Sequence, residues 1–347
     1  MSGSATAGPN TSITLTDLAA ALAAYLAGQL GAAASVSGLR RLPGGASRET
    51  WLFTLATPDG AAERLVLRRD PPGHVIETSR RHEFLLLQAA AAAGVPVPRV
   101  RWCEDDPAAL GAPFFVMDYV EGETLARRLL RDAEYAPARA ALPEQLATAL
   151  ARVHAIDLGV PALAFLARLP DETWPAAVEL ARYESLFRAL APEPHPAFEL
   201  ALRWLAARLP ATDRRTLVHG DYRVGNVIFG PEGLRAVIDW EMVHVGDPME
   251  DLGWLCVRAW RFGADANPVG GLADRARFFA AYERAGGRRV DPAAVGWWEV
   301  FGNLKWGIIC IMQMQTFLAG VKSVELASLG RRTAETELEL LDLTEGA

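Results

Sequence analysis

The sequence predicts an α+β protein: a small antiparallel sheet with one helix leads, near residue 120, into a larger and mainly helical region. Three observations carry that expectation. Ahead of Glu121-Gly122, short β-branched and aromatic runs alternate with turn signals. Beyond it, alanine- and leucine-rich segments of helical length dominate. The chain has 347 residues, 51% apolar and 22% charged, an ordinary globular mixture long enough for about two domains.

Residues 1–12 are small and polar, with neither a basic stretch nor an apolar core, and read as a disordered leader rather than an export signal. Residues 16–30 carry a threonine cap, an acidic first turn and a closing Gly31, and predict a helix. Residues 50–56 and 65–69 have strand composition around Pro58-Asp59-Gly60, the signature of a hairpin. A helix over 78–93 stops at Gly94, before Pro96 and Pro98, and strands follow over 99–103 and 114–120. Helices are expected over 124–131, 143–155, 176–191, 198–209, 273–285 and 293–318. A short β-like section over 216–218, 227–229 and 236–238 interrupts them. The last helix contains Glu299 and Lys305, so it reads as a buried core helix and not a membrane span. No internal repeat is evident.

Several chemistries are excluded by absence. Lysine occurs only at Lys305 and Lys322, neither after a glycine, so no G-x-x-x-x-G-K phosphate loop exists. None of the 30 glycines has another two positions away, which removes G-x-G-x-x-G. No G-x-S-x-G elbow and no H-E-x-x-H helix is present. The three cysteines, Cys103, Cys256 and Cys310, form no C-x-x-C pair, which argues against a thiolate zinc site and for a reducing, cytoplasmic setting. A formal net charge of −7 gives no footprint for nucleic acid or an anionic membrane surface.

The chemistry concentrates in residues 217–252. His219-Gly220-Asp221 follows an apolar strand, Asn226 comes five residues after Asp221, and Asp239 ends a second apolar strand. A loop between short strands can aim Asp221 at a reacting hydroxyl while Asn226 and Asp239 offer hard oxygen ligands to Mg²⁺. Phosphoryl transfer needs those parts, because its catalysis is mostly placement of charge and alignment of the acceptor oxygen.

H-G-D-x-x-x-x-N, then I-D-W, then G-D-P-x-x-D-L resembles the aminoglycoside phosphotransferase and choline kinase family. The resemblance covers nearly the whole chain. It implies the two-lobed protein-kinase-like fold, with a nucleotide-binding lobe over 13–118 and a catalytic, acceptor-binding helical lobe over 119–347. It also implies ATP and Mg²⁺. Carried over by position, Asp221 orients the acceptor hydroxyl, Asn226 and Asp239 bind the metal, and Arg223 neutralises the transferred phosphate. Arg223 departs from the histidine many antibiotic kinases have there, which counts against an aminoglycoside acceptor. Asp251 is expected to brace the catalytic loop, and His219, His154 and His244 to be structural.

In the first lobe the resemblance gives Arg68 the place of the lysine that faces the nucleotide phosphates, with Glu83 as its partner and Arg69 as its competitor. Ser47, in the turn 42–47, resembles the family's shortened phosphate loop. Residues 114–122 look like a kinase hinge: Asp118 offers a carbonyl and Val120 an N–H to the adenine, and Val66 packs on it. The resemblance implies a small-molecule hydroxyl as the acceptor. Trp297-Trp298 either lines its pocket or belongs to ordinary core. Residues 66–73 and 219–223 look most like the branch fused to certain acyl-CoA dehydrogenases, which is linked to hydroxyacyl-CoA phosphorylation; an antibiotic acceptor stays open. The alternative from another class is a non-catalytic nucleotide-binding pseudokinase module.

Overall fold

The computed structural model describes residues 14–42, 49–58, 60, 62–70, 79–190, 193–212, 214–321 and 323–345. It divides into two compact units, Met1–Gln88 with Pro98–Val120 and Ala89–Val97 with Glu121–Ala347.

The first unit is a five-stranded antiparallel sheet in the order β1-β2-β3-β5-β4, with helix α1 and most of helix α2, whose last residues from Ala89 fall in the second unit. The strands are β1 (Ser35–Arg41), β2 (Glu49–Ala56), β3 (Ala62–Arg69), β4 (Val100–Glu104) and β5 (Phe114–Asp118). Helix α1 (Leu15–Leu30) is capped by Thr14, whose side chain accepts from the Asp17 N–H, and it ends at a left-handed Gly31. Leu18, Leu22 and Leu26 of α1 bury against Phe53, Leu55, Leu65, Leu67, Phe114 and Val116. Strand alternation puts Val66, Arg68, Phe115 and Met117 on the opposite face. There α2 (Arg80–Ala92) begins, with the Phe84 ring edge-on to Phe115. The expected hairpin is β2–β3, paired from Glu49↔Arg69 to Ala56↔Ala62.

The second unit is mainly helical: α3 (Ala126–Arg131), α4 (Ala136–His154), α5 (Pro175–Leu190), α6 (Pro196–Ala207), α7 (Met249–Cys256), α8 (Arg275–Arg284), α9 (Pro292–Leu318), α10 (Val324–Gly330) and α11 (Thr333–Thr344). Strands β6 (Thr216–Val218), β7 (Val227–Gly230), β8 (Gly233–Val237) and β9 (His244–Gly246) make two ribbons, β6 with β9 and β7 with β8. Helix α4 starts about two turns earlier than expected and keeps Pro143 in its interior, because Leu142, Leu146, Ala147 and Leu150 bury one face through the break. Helix α9 is the core of the unit. Gly253 of α7 lets the two helices meet, since a Cβ there would sit 2.5 Å from the Trp298 Cβ. Among the described residues no helix is long and apolar enough to cross a membrane.

Candidate active site

The second unit gathers the predicted catalytic residues on the loops that leave β6 and β8. Beyond β6, a short 3-10 turn over Val224–Asn226 brings Asn226 back to Asp221. Its Nδ2 donates to Asp221 Oδ2 at 2.5 Å and to the Asp221 carbonyl at 3.0 Å. The other carboxylate oxygen, Oδ1, accepts from Arg223 Nε at 2.9 Å and from Trp254 Nε1 at 2.8 Å. Asn226 also accepts from the Ile238 N–H at 3.0 Å, which extends the β7–β8 ladder to the threshold of Asp239. Asp239 itself is left-handed, φ 69°, a conformation that aspartate tolerates better than most residues. Asp221 and Asn226 are thus joined directly, and Asp239 follows the residue that bonds the Asn226 carbonyl. The Arg223 guanidinium lies 4.6 Å over the Trp260 ring, and the missing Cβ of Gly225 makes room for it.

Beneath this loop lies a buried brace. Asp251, fully buried in the first turn of α7, accepts from the His219 N–H (2.8 Å), the Gly220 N–H (2.9 Å) and His154 Nε2 (3.0 Å). Burial pushes its carboxyl upward, but the hydrogen bonds from His154 and from the His219 backbone N–H outweigh that and hold it below the usual carboxylate range. Gly220 has φ 78°, and a Cβ on it would stand 2.5 Å from the Met242 carbonyl. Only glycine satisfies both constraints. His219 is wholly buried between Trp240 and Tyr222, and burial lowers its pKa, so it packs as a neutral ring. His154 bonds the Tyr282 hydroxyl with its other nitrogen, a structural role like that expected.

In the first unit, alternation along β3 separates the two candidate arginines. Arg68 shares the face of Val66 and α2, and its Nη1 meets Glu83 Oε1 at 2.7 Å. Arg69 points the other way, to Glu49 Oε2 at 2.7 Å and the Leu110 carbonyl. Glu83, 1% exposed, is clasped a second time by the buried Arg80 at 2.5 Å, and Arg80 also reaches Asp70 at 2.9 Å. Val66 is buried opposite Met117 in the β3–β5 pairing. Asp118 ends β5; its N–H donates to the Arg99 carbonyl and Arg101 holds its side chain at 2.5 Å. Val120 closes the unit, partly exposed. Ser47 lies outside the described residues.

The family model described as the phosphotransferase enzyme family matches residues 38–291. The chain belongs to that family. This phosphotransferase-family chain is 34% identical over 248 residues to acyl-CoA dehydrogenase family member 10 of Mus musculus, covering 68% of the chain and 22% of the relative. It is 33% identical over 204 residues to acyl-CoA dehydrogenase family member 11 of Gallus gallus, covering 54% and 24%. It therefore spans about a quarter of the length of these relatives. A solved Ralstonia eutropha JMP134 protein assigned to the aminoglycoside phosphotransferases superposes with a TM-score of 0.75 at 24% identity, over 93% of this chain and 97% of that one. A thermostable mutant of the aminoglycoside phosphotransferase APH(4)-Ia, in a ternary complex with AMP-PNP and hygromycin B, gives 0.63 at 17% identity, over 94% and 99%. At these identities the solved structures establish the fold, the two-lobed kinase-like one.

Sequence reasoning did not single out three side chains that hold predicted site residues within their own units. Arg80 offers no signal beyond its place at the start of α2. Trp254 was one of ten tryptophans, and its bond to Asp221 is visible only in three dimensions. Lys305 did carry a signal, as a charge inside an otherwise apolar helix, and its ammonium reaches the Gly220 carbonyl at 2.9 Å. Trp297 and Trp298 are core: their indoles donate to the Leu205 carbonyl and to Asp247.

Proposed function

We propose that this chain is an ATP- and Mg²⁺-dependent kinase that transfers the γ-phosphate to a hydroxyl of a small molecule of the hydroxyacyl-CoA type. The observation that carries the reading is the Asp221 carboxylate, oriented by three side-chain donors, Arg223, Asn226 and Trp254. The donor set suits a hard cation: Asn226 spends its NH₂ on Asp221, which leaves the amide oxygen, and Asp239 supplies a carboxylate. When bound there, Mg²⁺ neutralises phosphate charge during transfer.

Asp221 accepts a hydrogen bond from the acceptor hydroxyl, aligns its oxygen with the γ-phosphorus and takes up its proton as the new bond forms. Arg223 holds Oδ1 of that carboxylate at rest and has donors to spare for the transferred phosphate. Arg68, fixed by Glu83, presents a guanidinium fork to the nucleotide phosphates, and Val66 with the Asp118 and Val120 backbone receives the base. Ser47, outside the described residues, is assigned to the nucleotide by the family resemblance alone.

For the acceptor, the acyl-CoA dehydrogenase relatives are nearer in sequence than any of the antibiotic-phosphorylating neighbours described, and Arg223 stands where those neighbours' family often has histidine. The three unpaired cysteines support a reducing, cytoplasmic setting. Coupled ADP release across hydroxyacyl-CoAs, aminoglycosides, macrolides and choline-like alcohols tests the reading. Turnover confined to hydroxyacyl-CoAs is expected; turnover with an antibiotic reassigns the acceptor, and nucleotide binding without turnover on any of them makes the chain a pseudokinase module.

A further inference from the structure

Lys305 is one of only two lysines in the chain, and it sits 2% exposed in the middle of α9. Its Nζ donates to the Gly220 carbonyl at 2.9 Å and to Glu250 Oε1 at 3.3 Å. The same nitrogen lies 4.7 Å from the centre of the Trp254 ring and 5.6 Å from that of Tyr183. Glu250 pairs in turn with His244 at 3.0 Å, and Glu179 brings a carboxylate oxygen within 4.8 Å of both. Two carboxylates thus face three cations of the chain's own, since Arg182 pairs with Glu179 at 3.5 Å. A buried ammonium is costly unless it is paired and hydrogen-bonded, and here it is both. Burial alone would lower its pKa, but Tyr183 and Glu250 raise it, so the charge is kept.

The partners of this charge are the immediate supports of Asp221. Gly220 is joined to Asp221 by the peptide whose carbonyl Lys305 holds, and Trp254 is the indole that donates to Asp221 Oδ1. We propose that Lys305 is a positioning residue for phosphoryl transfer, setting the direction of the Asp221 carboxylate through the Gly220 carbonyl and the Trp254 ring without touching either substrate. The hydrogen bond fixes the plane of the Gly220–Asp221 peptide. The cation on the indole face fixes the ring, and with it the direction of Nε1–H. An acceptor oxygen displaced by 1 Å can cost on the order of 10²-fold in rate, so small rotations of this carboxylate matter. The proposal rests on the reading of Asp221 as the group that orients the acceptor hydroxyl.

The test uses Lys305→Met, which keeps chain length and apolar packing and leaves Glu250 with His244 as its counter-charge. Across the acceptor panel named above, kcat is expected to fall by roughly tenfold or more while KM for ATP stays within about twofold. Trp254→Phe, which keeps the aromatic face and loses Nε1–H, is expected to lower kcat similarly. The double variant should fall less than the product of the two single effects, since the residues act in series. The ¹H–¹⁵N indole resonance missing from Trp254→Phe identifies Trp254, and it should move in Lys305→Met. A kcat within twofold of the unsubstituted chain, an unmoved resonance, independent losses, or a lowered melting temperature with unchanged turnover per folded molecule each overturns the positioning role. Absence of transfer by the unsubstituted chain to every acceptor overturns the reading beneath it, and the proposal with it.

Discussion

Asp251→Asn isolates the brace under the catalytic loop. The substitution preserves size and shape, so its effect is electrical and directional. Oδ2 now accepts from the His219 N–H and His154 Nε2, and Oδ1 from the Gly220 N–H. Asparagine can turn its one oxygen to only one side, and the NH₂ on the other must face a donor. In the better orientation one buried N–H loses its acceptor, at about 1–3 kcal/mol, and two charge-assisted bonds become neutral, at about 1 kcal/mol each. Relief of the buried charge returns part of this, leaving a net loss of about 2–4 kcal/mol. For a unit of this size that lowers the melting temperature by roughly 5–15 °C. The pH dependence gives a second handle. Because the folded pKa of Asp251 is depressed, its contribution is fully present above the unfolded value near pH 4 and disappears as pH falls through the folded one. Calorimetry from pH 3 to 8 should show the deficit of Asp251→Asn largest at neutral pH and shrinking towards pH 3. A variant that melts within about 2 °C of the unsubstituted chain, or whose deficit is independent of pH, would refute the reasoning.

Other expectations follow from the same geometry. Burial lowers the His244 pKa, but the Glu250 carboxylate more than reverses this and pushes it up to about 9. A folded pKa above the unfolded value near 6.5 stabilises fully below pH 6.5 and fades as pH rises through about 9. The stability gap between the unsubstituted chain and His244→Gln should therefore narrow over that range, and a constant gap contradicts the ion pair. Gly220→Ala should lose at least about 1–2 kcal/mol in denaturant titration from its left-handed backbone alone, before the clash with the Met242 carbonyl; unchanged stability would mean that no close approach exists. Arg68→Met leaves Glu83 with Arg80, so folding should persist while KM for ATP rises on the order of tenfold. An unchanged KM would remove Arg68 from the nucleotide.

How far the sequence reaches can be judged from particular elements. Helix α1, the β2–β3 hairpin and α9 were legible because each carries its own periodicity and stop signal. Strand β1 was missed: its run of Ser, Gly and Arg has little strand composition, and pairing with β2 supplies what propensity does not. Strand β9 and helix α7 sit inside the residues read for chemistry, where aspartates and proline mask regular structure. Helices α10 and α11 owe their place to packing on α9 and α6. In the site, Asp221, Asn226 and Asp239 were readable as a spacing. Period-two alternation along β3, which a strand reading could have used, sends Arg68 to Glu83 and Arg69 to Glu49. Trp254 and Lys305 were not readable in their present role, because a hydrogen bond between residues tens of positions apart leaves no pattern along the chain.

The most direct measurement follows the phosphorus itself. In ³¹P NMR of ATP, Mg²⁺ and a hydroxyacyl-CoA, the chain is expected to convert the γ-phosphate into a phosphomonoester resonance rather than inorganic phosphate. Asp221→Asn should slow that conversion at least roughly 10²-fold while still binding nucleotide, and chelation of Mg²⁺ should stop it. Ester formation by Asp221→Asn at the rate of the unsubstituted chain, or undiminished formation after chelation, would contradict the account.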